Sequence, residues 1–242
     1  MATMTLDDLV TQLRAAYGAQ LSSVVLYGSA AAGEHVPKRS DYNVLVLLDR
    51  MDAASLAGAS AAARAWHDAG NPPPMTMTVS EWRGSSDVFP MEYADILARH
   101  RVLHGAAPFD GLSVSRENLR LQLEQQAMGK LLQLRQGALL AGTDGARQLE
   151  LIEASLSTVM VLFRAVLRLT GEEPAGDKTA VSQRVGTLAG FGAGAFVRAA
   201  RHQAGVQKIV PAEAGTVLAQ YLSGVERLNA YLDTFNSQER PS

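Results

Sequence analysis

VVLYGSAAAGEHVPKRSDYNVLVLLD, residues 24–49, joins two apolar runs through a polar, glycine-containing loop. The first run ends in Gly28-Ser29, and the second opens with Ser40-Asp41-Tyr42-Asn43. Both runs have the length and branched composition of β-strands. A strand that ends in glycine and turns toward a helix points backbone amides outward, and glycine lets a phosphate come close. Ser29 adds a hydroxyl donor. Asp41 and Asn43 stand two apart at the mouth of the second strand, so their side chains share one face of the sheet. Oxygen ligands beside a phosphate cradle suit magnesium, which takes one or two carboxylates together with substrate phosphates. Lys38 and Arg39 lie in the same loop and are placed to meet phosphate.

Around this stretch, residues 1–110 alternate short strands and helices. A helix is expected over 6–17, strands over 24–27 and 44–48, a helix over 53–69, and strands over 75–79 and 91–96. Asn71-Pro72-Pro73-Pro74 separates the second helix from the third strand, since consecutive prolines fix φ and donate no backbone hydrogen bond. From residue 111 to 242 the pattern is helical, with helices expected over 116–140, 146–169, 179–188, 196–203 and 211–235. The expected architecture is α+β, a mixed sheet with helices followed by an antiparallel helical bundle.

Composition narrows the function. A formal net charge of −2 gives no dense cationic surface for general nucleic-acid binding. The absence of cysteine removes disulfide frameworks and thiolate zinc sites and fits a reducing cytoplasm. The start, MATMTLDDLV, lacks the basic-then-apolar order of a secretory signal, and the apolar segment 156–169 carries Arg164 and Arg168 on its polar side, as a bundle helix does and a membrane span does not. His100 and His104 are four apart without a glutamate between them, which argues against a zinc site. No Gly-x-Ser-x-Gly elbow or Gly-Lys-Ser/Thr loop is present.

Gly28, Ser29, Gly33, Ser40, Asp41 and the apolar run 44–48 resemble the polymerase-β-like nucleotidyltransferase superfamily, in the small bacterial branch similar to aminoglycoside nucleotidyltransferases. The segment VFPMEYADILARHRVLHG, residues 88–105, resembles one found in relatives of that branch. The resemblance implies a nucleotidyltransferase-type domain followed by a helical bundle. It also implies transfer of a nucleoside monophosphate from a triphosphate to a hydroxyl of a small molecule or protein, with two metal ions held by an aspartate pair and a third carboxylate. Carried over, Gly28, Ser29, Lys38, Arg39 and Ser40 would bind the nucleotide, and Asp41 and Asn43 would be catalytic and hold Mg2+.

Two of the three acid positions depart from that pattern. Asn43 keeps an oxygen but loses a full negative charge. The third carboxylate is expected on the strand 75–79, which carries Thr76 and Thr78. Glu92, on the strand expected next, is the candidate replacement. In the helical half, Glu117 and Glu124 offer a base, and Arg120, Lys130 and Arg135 offer positive charge. Apolar stripes on the long helices are compatible with a homodimer. Three readings stay open at this point: active transfer, nucleotide binding without transfer chemistry as a sensor or regulator, and a protein-interaction module.

Overall fold

The computed structural model describes residues 4–31, 33, 41–174 and 177–235. The chain divides into two compact units, Met1–Val114 and Ser115–Ser242.

The first unit is a four-stranded mixed sheet with helices. Strands β1 (Leu21–Tyr27) and β2 (Asn43–Leu48) are apolar and central, β3 (Met75–Thr78) lies outside β2, and β4 (His100–Gly105) lies outside β1. β1 runs antiparallel to both β2 and β4, whereas β2 and β3 are parallel and are joined by a crossover through α2 (Ala53–Asp68). Asp52 caps α2 by accepting from the Ser55 amide. Side-chain alternation divides the core between the two faces of the sheet. Val24, Leu26, Val44, Val46 and Leu48 pack with Leu9 and Leu13 of α1 (Leu6–Tyr17) and with Trp66 of α2. Val25, Leu45 and Leu47 pack on the other face with Trp82, Tyr93 and Ile96.

Those last three residues belong to α3 (Val79–Gly84) and α4 (Pro90–Ala98). Thr78 ends β3 and also opens α3 through a capping box, accepting from the Glu81 amide while the Glu81 carboxylate accepts from the Thr78 amide. The stretch expected as a strand over 91–96 is instead the body of α4. Pro90 occupies its first turn, where a missing N–H costs nothing, and the helix buries Met91, Tyr93 and Ile96. Trp82 stacks on Tyr93 at 4.1 Å, and the Tyr93 hydroxyl donates to the Trp82 carbonyl at 2.6 Å. The Trp82 indole donates to the Pro108 carbonyl at 2.8 Å. These contacts pin α3 and α4 together on the sheet.

The second unit contains, among the described residues, α5 (Arg116–Ala141), α6 (Gly145–Leu169), α7 (Lys178–Ala189), α8 (Gly194–Gln203) and α9 (Pro211–Thr234). A three-residue turn between α5 and α6 makes them an antiparallel hairpin, and α9 packs against both. Phe163, Phe196 and Tyr221 meet in the core, where Ser155 donates to the Tyr221 hydroxyl at 3.2 Å. No helix of the described residues is long and apolar enough to cross a membrane.

Candidate functional site

The end of β1 builds the candidate site. Gly28 follows Tyr27 with φ +78°, a left-handed conformation that favours glycine, and starts a short 3-10 turn through Ala30. Its amide does not face outward, as the sequence suggested. It donates to the Arg99 carbonyl at 2.9 Å and so ties the turn to the chain leaving α4. Any phosphate-binding amides must therefore come from beyond Gly28.

Asn43 pairs with Tyr27 across the β1–β2 ladder and, two residues before Leu45, shares the sheet face covered by α3 and α4. A Cβ placed on Gly28 would lie 3.4 Å from the Asn43 amide nitrogen and 3.6 Å from a carboxylate oxygen of Asp95. Asp95 is on α4, three residues after Glu92, so both acids project from neighbouring positions on one helix face. Both also act on Tyr27: burial pushes its hydroxyl up to about 12, and the negative charges of Asp95 and then Glu92 push in the same direction. Gly28, Asn43, Asp95 and the surroundings of Tyr27 thus form one cluster, with Glu92 within electrostatic reach.

Asp41 is exposed at the entrance to β2. Lys38, Arg39 and Ser40 lie outside the described residues, and for Ser29 only the backbone is described.

The threonines of β3 belong to the opposite face from Asn43. Met75 and Met77 pack with the core under α3 and α4, so by alternation Thr76 and Thr78 point away from it. Thr76 donates to the Pro74 carbonyl, and Thr78 is engaged in its helix cap. A third carboxylate on β3 facing Asn43 would have to stand at Met75 or Met77. The acids on that face come from α4. Asp95 was the residue sequence reading passed over. Its signal was the Glu92–Asp95 spacing of three, which has meaning only once 90–98 is read as a helix.

Among the described residues no group of three or more His, Cys, Asp or Glu is arranged to hold a metal ion, and the second position of the Asp41–Asn43 pair is an amide. In the second unit the charges of α5 are largely engaged with one another or with α9. Arg120 pairs with Glu124 at 2.6 Å, Arg135 with Glu226 at 2.8 Å, and Lys130 donates to Gln133 at 3.0 Å.

No family model matches the chain, and no curated protein matches it in sequence. Among solved structures it is similar to spectinomycin adenyltransferase AAD(9) from Enterococcus faecialis, crystallised with ATP and spectinomycin. The TM-score is 0.61 at 13% sequence identity, over 95% of this chain and 98% of that one. The fold, sheet and helices together, is therefore nucleotidyltransferase-like.

Proposed function

We propose that the chain binds a nucleoside triphosphate at the Gly28 turn of its first unit, gripping phosphate directly and without the paired metal ions of a transferase. The observation that carries this reading is the Asn43 amide nitrogen, 3.4 Å from the space that a Gly28 side chain would fill. The Asp95 carboxylate oxygen, 3.6 Å from the same space, already places one negative charge there, and an aspartate at position 43 would add a second that phosphate could approach only through a cation. An amide donates a hydrogen bond to phosphate with no intermediary.

By their place in the sequence, Lys38 and Arg39 are assigned to the triphosphate's charge and Ser29 and Ser40 to further hydroxyl donors. Asp41, Glu92 and Asp95 then serve as acceptors for nucleotide hydroxyls. Transfer to a small-molecule or protein hydroxyl would need a carboxylate set that the described residues do not assemble, so the role is that of a cytoplasmic nucleotide sensor or regulator. AAD(9) was crystallised with ATP, which makes ATP the first ligand to test.

Calorimetric titration of the purified chain with ATP tests the reading. Binding is expected without pyrophosphate release over hours, and Asn43→Leu should weaken it by roughly 10- to 100-fold, the worth of one hydrogen bond to a charged group. Pyrophosphate release that disappears in Asp41→Ala would instead establish transfer.

A further inference from the structure

The inward face of α5 packs Leu119, Leu123, Ala127, Leu131 and Leu134 into the bundle. A second apolar track runs along its outer side. Leu121, Met128, Leu132 and Leu139 are 50%, 46%, 51% and 83% exposed. At about 100° per residue these four fall within an arc of about 40°, a continuous seam along the helix.

The spacing of the seam is symmetric in the chain direction. Leu121 and Leu139 each lie nine residues from position 130, Met128 and Leu132 each lie two, and the two polar residues in the track, Gln125 and Arg135, each lie five. We propose that this seam pairs with the same seam of a second copy, α5 against α5, antiparallel about a dyad at residue 130.

In that arrangement Leu121 meets Leu139 of the second copy, Met128 meets Leu132, and neutral Gln125 meets Arg135. Helical angles put Arg135 and Glu124 on the same flank, one residue apart in level across the dyad, so opposite charges approach. Each already holds a partner within its chain, Glu226 and Arg120. Pairing therefore joins two ion pairs into one four-charge cluster, twice per dimer. Lys130, at the level of the dyad, points about half a turn away and does not face its copy.

Gly129 supplies an independent observation. It sits inside a long helix, where glycine is a poor former, and a Cβ there would meet nothing within 4 Å among the described residues. Packing within the chain does not call for a glycine at this position. At about 80° from the centre of the seam Gly129 lies on the rim, where the missing side chain leaves room beside a second helix.

The expected affinity follows from size. A helix of 26 residues is about 39 Å long, and a strip about 10 Å wide covers roughly 400 Å² per copy, about half of what a stable interface buries on each partner. The dimer is therefore reversible, and its population depends on concentration.

Sedimentation equilibrium of the full chain between about 5 and about 500 µM should show a monomer–dimer equilibrium with a dissociation constant in the tens of micromolar. Met128→Glu or Leu132→Glu should raise that constant at least ~100-fold, since each places a charge in the seam on both copies, with an unchanged circular dichroism spectrum and melting temperature. Leu56→Glu, at an exposed apolar residue on α2, should leave it unchanged. The chain has no cysteine, so single spin labels report direction. Labels at Gln133→Cys should lie close, with about 9 Å of axial offset, and labels at Glu117→Cys far apart, with about 39 Å. A monomer throughout the range overturns the proposal, as does a dimer indifferent to both seam substitutions, one disrupted equally by Leu56→Glu, or one with short distances for both labels.

Discussion

Two glycines stand at opposite ends of β1, and the chain uses them for different ends. Gly105 closes β4 opposite Ser23, at the start of β1, with φ +79°, and a Cβ there would sit 2.0 Å from the Ser22 carbonyl oxygen. Gly28 follows the other end of β1 with φ +78°, and among the described residues its Cβ would meet the Asn43 and Asp95 side chains, at 3.4 and 3.6 Å. The first glycine is demanded by backbone against backbone, which cannot yield. The second is demanded by its own conformation and faces polar side chains across ordinary contact distances. The first end is fixed by packing; the second brings a backbone turn against the polar side chains of the candidate site.

Substitution separates the two ends. Gly105→Ala should lower stability by about 3 kcal/mol or more, combining left-handed strain with a clash that must shift the β1–β4 pairing. Thermal unfolding measures it. Gly28→Ala should cost about 1 kcal/mol of stability, from strain alone, while reducing ATP affinity roughly tenfold or more as the new methyl group comes between the turn and the Asn43 amide. Equal stability losses at the two positions would erase the distinction. Thr78→Ala, on the sheet face turned away from Asn43, should remove the α3 cap at a cost of about 1 kcal/mol and leave ATP affinity unchanged.

The smallest effect is expected at high pH. Tyr27, beside the site, has its hydroxyl raised to about 12 by burial and then by Asp95 and Glu92. A group with a raised folded pKa contributes stability that is complete below its ordinary value near 10 and is lost as pH rises through about 12. Tyr27→Phe should therefore flatten the fall in stability between about pH 10 and about pH 12, as followed by chemical denaturation. Its effect at neutral pH should be slight.

The sequence made the centre of the first unit legible because β1 and β2 are buried on both faces and consist of nearly unbroken apolar runs. The helix Leu6–Tyr17 was equally plain, since its apolar residues fall on one side and Thr5 and Asp8 form its capping box. The edge strand β4 was not. It holds His100, Arg101 and His104 and no fully buried residue, so no alternation marks it. α4 was misread because Met91, Tyr93 and Asp95 alternate with other residues as a strand would, and Tyr and Ile favour strands, whereas the proline in the first turn and burial of both Tyr93 and Ile96 under the sheet make a helix. That error favoured Glu92 over Asp95.

The placement of Gly28 and Asn43 in the candidate site was legible, because both are fixed by the ends of the two apolar strands. The site was not legible at β3. The face that Thr76 and Thr78 take depends on the register Leu45–Met75 through Leu48–Thr78, a long-range pairing that local sequence does not encode.

The central claim is that Asn43 lets the first unit hold phosphate without a metal. Its most direct test is ATP affinity measured with excess magnesium and with excess EDTA, for the natural chain and for Asn43→Asp. The natural chain should bind within about twofold in both conditions, and Asn43→Asp should bind only with magnesium, losing at least about tenfold in EDTA. Loss of ATP binding by the natural chain in EDTA, restored by magnesium, would contradict the claim.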